Sequence, residues 1–200
     1  MEKIAQAALI FTLMTGTAFS FLPLRAADQV VIRRQASEEY RNPDTGLIFP
    51  SRVDAFEKVM VRINPDPEIG VCVSYEDENG SLADVYIYQN ADPFGEHAEK
   101  TFRRILDAPK QSQLILSSEA MEKPGTVDGI FCARFRMTVE SEALISRLFL
   151  FEKNGYYVKI RITSPETIEQ EDGPEPRFSE TFLTQINSTD KLPITSGAEK

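Results

Sequence analysis

Hydrophobic and polar residues alternate with a period of two over much of the chain. In the stretch "GVCVSYEDENGSLADVYIY", residues 71–75 alternate before an Asn-Gly pair and residues 85–88 after it, and the poor strand formers at 81–84 predict a slightly longer loop between them. Two strand-like runs joined through Asn-Gly are typical of a β-hairpin. Segments 56–63 and 113–121 show the same period, so each predicts a further strand.

A second Asn-Gly pair lies within residues 130–163, where the alternation predicts a three-stranded antiparallel meander. Between hairpin and meander the period changes, because apolar residues in segment 93–107 recur at the three- and four-residue spacing of an amphipathic helix. Asp92 is expected to cap this helix, with Pro93 as its first residue. A closing helix is predicted from three apolar residues at helical spacing, namely Phe178, Phe182 and Ile186.

The order of these elements predicts the fold class. Turn formers at 42–46, followed by the apolar run 47–49, indicate a turn and a short edge strand at the start of the domain. Strands, hairpin, helix, meander and helix together predict an α+β fold in which an antiparallel sheet is flanked by helices. We expect one domain over 40–187, a flexible lead-in over 27–39 and a disordered tail over 188–200.

Three stretches, "YRNPDTGLIFP", "GYYVKIRIT" and "FSETFLTQI", together with the long helix between the two halves of the sheet, resemble the PsbP-like fold. That fold is an α/β/α sandwich shared by photosystem extrinsic proteins and many exported bacterial proteins. The resemblance covers roughly residues 38–190. It implies a non-enzymatic accessory or binding domain. A cystatin-like or open-barrel α+β fold is the alternative.

The N-terminal stretch differs from the rest in composition. Residues 4–24 are 21 positions without a charge, preceded by Lys3 and with small residues near the end of the run. This pattern is typical of a secretory signal peptide, predicted over residues 1–26, and it predicts a periplasmic or secreted protein. The alternative is an uncleaved signal anchor, because roughly 20 apolar residues span a bilayer. After cleavage no other segment is long and apolar enough to cross a membrane, so we expect no membrane association.

Composition and motifs narrow the function classes. The chain has 22 basic and 31 acidic residues, a net charge of −9, which disfavours nucleic acids and anionic membranes as partners. No glycine-rich phosphate loop and no nucleophile motif is present, so no cofactor is predicted. We therefore expect a binding domain for an unknown protein or small ligand. The alternatives are an envelope hydrolase with a carboxylate site and a protein that holds a small ligand or lipid.

The acidic loop of the first hairpin has two interpretations. Asp77, Asn79 and Asp84 offer oxygen ligands for a weak calcium site. Against an EF-hand, Leu82 and Tyr88 stand where that motif requires Gly and Glu. The Asn-Gly pair also explains the loop as a plain hairpin turn, which we favour.

Three further residues are candidates for chemistry. Cys72 and Cys132 are the two cysteines, and in an oxidising compartment they could form a disulfide. Two buried free thiols are the alternative. His97 is the only histidine, and its place beside the apolar stripe of the helix predicts a surface position.

Basic residues within the meander suggest an anion-binding stripe. If two strand faces coincide, a carboxylate or phosphate could bind four of them, namely Arg134, Arg136, Lys159 and Arg161. The alternative is cross-strand pairing with acidic neighbours, namely Glu140, Glu142 or Glu152.

The function classes predict different surfaces. A binding module should expose a sizeable apolar or aromatic patch, for which Tyr86, Tyr88 and Tyr157 are candidate members. An enzyme should instead bring together titratable groups with shifted pKa values in a cleft. A lipid-holding protein would need an enclosed apolar cavity.

Overall fold

The computed structural model describes residues 31–33, 38–112, 114–168 and 178–184. The helices are α1 (Phe94–Leu106) and α2, helical over residues 178–184. The strands of the described chain are β1 (Val31–Arg33), β2 (Tyr40–Arg41), β3 (Ile48–Phe49), β4 (Arg52–Val53), β5 (Phe56–Ile63), β6 (Val71–Glu76), β7 (Leu82–Tyr88), β8 (Ile115–Ala120), β9 (Gly125–Val127), β10 (Ile130–Val139), β11 (Glu142–Lys153) and β12 (Tyr156–Pro165). The structure is thus mostly sheet with two helices, an α+β protein as predicted.

The large sheet has the order β1-β5-β6-β7-β12-β11-β10-β8, with β4 also paired to β5 and β9 to β10. Its strand pairs are antiparallel. The predicted hairpin is β6–β7 and the predicted meander is β10–β11–β12, so both predictions are confirmed. β12 pairs with β7, which joins the two halves of the sheet. The predicted edge strand is β3, which pairs with β2 in a separate small sheet.

One apolar core lies between the large sheet, α2 and the β2–β3 hairpin. Its centre is aromatic: the Phe178 ring centroid lies 4.9 Å from that of Phe56 and 5.4 Å from that of Tyr75. Phe182 stacks on Phe178 at 5.7 Å, and both side chains are fully buried. The helical spacing predicted for these two phenylalanines is therefore confirmed, while the third residue of that prediction, Ile186, lies outside the described residues.

A second apolar core lies on the other face of the sheet, beneath α1. Ala98, Phe102 and Ile105 of α1 are buried against β10, and the Phe102 ring centroid lies 5.4 Å from that of Phe135. The amphipathic helix is confirmed, but its predicted cap is not. The helix begins one residue after Pro93. The Asp92 carboxylate does not cap it but forms an ion pair with the Lys100 ammonium at 2.9 Å.

Strand β5 has an irregularity that periodicity alone does not predict. The pairing of β5 with β6 shifts register between Lys58 and Met60, so Val59 is 39% exposed and Lys58 is buried on the side of the first core. The Lys58 ammonium donates hydrogen bonds to the backbone carbonyls of Phe49, at 3.2 Å, and Glu38. A buried lysine therefore ties the start of the domain to the sheet.

The predicted domain limits fall largely outside the described chain. The predicted signal peptide and tail lie outside the described residues. The described part of the predicted lead-in, 27–39, consists of strand β1 and residues 38–39. Among the described residues, neither helix is long and apolar enough to cross a membrane. The PsbP-like architecture remains a prediction.

Candidate functional site

The two faces of β6, β7 and β12 differ in chemistry. These strands are neighbours, and on one face Val73, Val85 and Ile160 align side by side, all fully buried. On the opposite face the same strands align two polar rows. We call these six residues the polar cluster: Cys72, Tyr86 and Lys159 in one row, and Ser74, Asp84 and Arg161 in the next.

Hydrogen bonds hold the side chains of the second row, one within the row and one to Ser146. The Ser74 hydroxyl donates to Asp84 Oδ1 at 2.5 Å, and Arg161 Nε donates to the hydroxyl of Ser146 at 3.0 Å. Asp84 and Arg161 are both 7% exposed. Burial raises the pKa of the Asp84 carboxyl, although the Ser74 hydrogen bond and the nearby Arg161 guanidinium act in the opposite direction. A buried carboxyl with a raised pKa is therefore held beside a buried guanidinium.

Lys159, in the first row, places its ammonium against aromatic rings. Its ammonium lies 4.0 Å from the ring centroid of Tyr86 and 5.7 Å from that of Tyr88, a cation–π arrangement. Burial lowers the pKa of Lys159 to about 8, and the neighbouring Arg161 acts in the same direction. Among the described residues, no carboxylate or other hydrogen-bond acceptor contacts this ammonium. Lys159 as a whole residue is only partly buried.

The start of α1 closes one end of the polar cluster. The Tyr88 hydroxyl lies 2.7 Å from His97 Nε2, and the Tyr157 hydroxyl donates to the backbone carbonyl of Asp92 at 2.7 Å. These two contacts fasten the helix to β7 and β12. Burial lowers the pKa of His97, and the positive charge of Lys159 lowers it further.

Two predictions about this region are wrong. His97 is only 8% exposed rather than on the surface, because its position on α1 faces the sheet, where Tyr88 supplies a polar partner. The predicted exposed aromatic patch is absent from the described surface, since its members Tyr86, Tyr88 and Tyr157 are 8%, 8% and 5% exposed. All three pack in the second core, whose α1 covers them from one side.

Of the two alternatives for Cys72 and Cys132, the disulfide does not form in this structure. Both thiols are free. Their strands, β6 and β10, are separated by β7, β12 and β11, a distance of roughly 19 Å at about 4.8 Å per strand, far beyond the reach of a disulfide. The two side chains also point to opposite faces, because Cys132 aligns through Phe149 with Ile160. Burial, reinforced by the charge of Asp84, raises the pKa of Cys72 to about 12, so its thiol stays protonated.

The four basic residues of the predicted stripe do not share a face. Arg134 aligns with Arg147 and through it with Ile162, on the apolar face of β12, whereas Lys159 and Arg161 belong to the polar cluster. Arg136 lies on the same face as Arg134. It forms ion pairs with Glu166 at 2.6 Å and Glu119 at 3.7 Å, so pairing with acidic neighbours is correct in kind, though with other partners than those predicted.

The predicted calcium ligands are not brought together. Asp77 Oδ1 accepts hydrogen bonds from the backbone N–H groups of Asn79, at 2.9 Å, and Ser81, at 2.7 Å, so this carboxylate closes the hairpin turn. Asp84 points to the polar cluster instead, where it binds Ser74. Within the described ranges, no group of three or more His, Cys, Asp and Glu side chains could hold a metal ion.

A cavity of about 360 Å³ lies away from the polar cluster, at one end of the sheet. Ile63 and Ile87 line it together with the charged Arg41 and Asp44, so it does not have the apolar lining that a lipid would require. Gly70 forms part of its wall with φ +63°, and a side chain there would meet the Ile87 carbonyl oxygen at 2.0 Å. Only glycine fits this close approach.

The fold and the site together define a class: an α+β protein with an antiparallel sheet whose central strands carry a charged, aromatic cluster on one face. A comparison with models of known protein families found no match, and neither did a comparison with curated proteins.

Of the six residues in the polar cluster, the sequence suggested Lys159 and Arg161 as members of a possible anion-binding stripe, Tyr86 as a member of an aromatic patch and Asp84 as a weak calcium ligand. Sequence reasoning missed Ser74 and the role of Cys72. The available signal was that β6 and β12 place polar residues at alternate positions inside otherwise apolar runs.

Proposed function

We propose that this protein is an exported, non-enzymatic binding domain that holds a small ligand at the polar cluster. One observation carries the proposal. On one face of β6, β7 and β12 the aligned residues are all buried and apolar, whereas on the other face the same three strands carry the charged residues of the polar cluster. Since Val73, Val85 and Ile160 pack fully on the first face, the strands themselves do not require polar residues.

The cost of the charged face supports a functional role. Removing an ionised group from water costs several kcal/mol, and apolar residues of similar volume are often as stabilising or more so. Asp84, Lys159 and Arg161 bear this cost together, and their pKa values shift in the directions that burial imposes. Convergence of groups with shifted pKa values is a feature of functional sites in general, so it supports a site here without separating binding from catalysis.

The finer architecture is part of the proposal. α1 packs in one core and α2 in the other, an arrangement consistent with the PsbP-like sandwich. The uncharged N-terminal stretch supports export through a signal peptide. The PsbP-like resemblance in turn implies an accessory or binding role rather than catalysis.

A hydrolase that uses Asp84 is the second candidate. The convergence of shifted pKa values and the 2.5 Å contact between Ser74 and Asp84 favour it. The state of the thiol argues against a cysteine nucleophile, because burial and the charge of Asp84 raise the pKa of Cys72 to about 12, so that its thiol keeps its proton. His97 bonds to Tyr88 at the end of the cluster rather than to Ser74.

Native mass spectrometry of the purified protein, after incubation with the small-molecule fraction of its own cell envelope, tests the proposal. We expect wild type to retain a small molecule stoichiometrically, the Lys159→Gln variant to lose it, and the Lys110→Gln variant to retain it. Lys110 is the matched control because its side chain is 79% exposed and pairs with Asp107, away from the cluster. Equal retention by both variants would contradict the proposal. Ester hydrolysis that disappears in Asp84→Asn would support the hydrolase instead.

A further inference from the structure

The polar cluster lies in a local surplus of positive charge, although the whole chain has a net charge of −9. Asp84 is the only acidic member of the cluster, whereas Lys159 and Arg161 are both basic. The basic groups that act on the cluster come from two strands and α1: Lys159 and Arg161 of β12, Arg62 of β5, which aligns with Cys72, and Arg104 of α1, which acts on Lys159.

We infer that the ligand of the polar cluster is a small anion whose carboxylate or phosphate group binds the ammonium of Lys159, with the ring of Tyr86 beneath that ammonium. The inference rests on the proposed binding function and adds the chemical class of the ligand. A charge-assisted hydrogen bond from an ammonium to an oxyanion is among the stronger polar contacts in proteins.

Lys159 is the anchor because its donors remain available. The Tyr86 ring holds the ammonium from one side without accepting a conventional hydrogen bond, and in the described chain no carboxylate pairs with it. The charge of Asp84 favours the ammonium from a distance, but its Oδ1 accepts the Ser74 hydroxyl and no hydrogen bond joins it to Lys159 within the described chain. An incoming anion would therefore supply the missing hydrogen-bond acceptor.

Arg161 has a supporting role rather than a direct one. Its Nε donates to the Ser146 hydroxyl at 3.0 Å and its Nη2 lies 3.2 Å from the sulfur of Met137, so two of its nitrogens are directed toward β10 and β11. Its positive charge still adds to the field at Lys159, which attracts an anion and repels a cation.

The test is an NMR titration of lysine side chains in the full-length protein labelled with ¹³C at Cε. The pH midpoint of the Lys159 signal is measured at constant ionic strength in chloride, in inorganic phosphate and in succinate. We expect a bound anion to raise this midpoint by about one pH unit, the effect of an opposite charge at contact distance. The Lys110 signal should keep its midpoint in all three media.

The two anions distinguish the source of the oxyanion. A rise with phosphate alone assigns a phosphorylated ligand, a rise with succinate alone assigns a carboxylate ligand, and a rise with both supports the shared chemistry. A midpoint that neither anion changes, while native mass spectrometry still detects a retained molecule lost in Lys159→Gln, would overturn the anion and leave the binding function standing. If neither anion changes the Lys159 midpoint and native mass spectrometry detects no retained molecule, the binding function itself is overturned.

A second variant makes the test independent of the lysine. Tyr86→Leu keeps an apolar side chain in the row but removes the ring under the ammonium. Because a cation–π contact positions the charge, we expect the anion to bind about fivefold more weakly. Unchanged anion affinity in Tyr86→Leu, in a variant whose circular dichroism matches wild type, would contradict the role of the ring.

Discussion

Replacing Lys159 by methionine should make the protein more stable near neutral pH. Methionine keeps an unbranched side chain of similar length and removes the charge, so the change tests the cost of that charge rather than a loss of packing. The expected direction is unusual, because most substitutions of partly buried residues destabilise a protein.

The magnitude follows from the pKa of the lysine. Burial lowers the Lys159 pKa from its ordinary value of 10.5 to about 8, a difference of about 2.5 pH units that corresponds to roughly 3 kcal/mol. The cation–π contact with Tyr86, which methionine cannot make, offsets about 1 kcal/mol. We therefore expect the Lys159→Met variant to gain about 2 kcal/mol in its free energy of unfolding at pH 7.

The direction of the Lys159 pKa shift determines how this gain in stability depends on pH. A lysine whose pKa is lower in the folded than in the unfolded protein binds its proton more tightly in the unfolded chain. The destabilisation is fully present below the folded pKa, about 8, and disappears as the pH rises above 10.5. The advantage of Lys159→Met should consequently fall below about 1 kcal/mol at pH 10.

Urea unfolding of wild type and Lys159→Met at pH 7 and pH 10 measures both values. Lys110→Gln serves as control and should match wild type within about 0.5 kcal/mol, since its side chain is exposed. A Lys159→Met variant less stable than wild type at pH 7, or one with the same gain at both pH values, would refute the argument that this charge is held at a cost.

Three further predictions concern other parts of the fold. Gly70→Ala should lower the free energy of unfolding, measured in urea, by more than about 2 kcal/mol, because its Cβ would lie 2.0 Å from a carbonyl oxygen of β7. Gly80→Ala, with nothing within 4 Å of its Cβ, should cost clearly less. Equal losses in the two variants would be inconsistent with the close approach at Gly70. Without a reductant, a thiol reagent should label the partly buried Cys132 in the native protein and should label Cys72 only after unfolding. Labelling of either cysteine that appears in the mass spectrum only after reduction would indicate a disulfide. Asp77→Ala should cost about 1–2 kcal/mol with or without calcium, because two backbone N–H groups lose their acceptor, and a loss that appears only with calcium would restore the metal interpretation.

Local patterns in the sequence were sufficient to predict most secondary structure. The second Asn-Gly pair requires two successive left-handed residues, and Asn154 and Gly155 have φ values of 52° and 78°, so a tight hairpin follows from residue type alone. The spacing of apolar residues likewise predicted α1, because the side chains that pack on the sheet must recur once per turn. The same reasoning identified Phe178 and Phe182 as buried.

Long-range register could not be read from the sequence. Whether Arg134 and Lys159 share a face depends on the pairing of β11 with its two neighbours, and a displacement by one residue reverses every side chain. The distance between Cys72 and Cys132 depends on a strand order in which β12 inserts beside β7. The register shift at Lys58 exchanges an expected inward valine for a lysine, and only the contacts of the folded chain specify it.

The measurement that tests the central claim most directly is the mapping of a bound ligand by NMR on both faces of the same strands. With the retained small molecule, or with the anion that shifts the Lys159 midpoint, we predict chemical-shift changes in the side chains of Tyr86 and Lys159. The side chains of Val85 and Ile160, one residue away but on the opposite face, should keep their shifts. Changes confined to Val85 and Ile160, or to Tyr156 in the cavity at the end of the sheet, would show that the polar cluster is not the binding site.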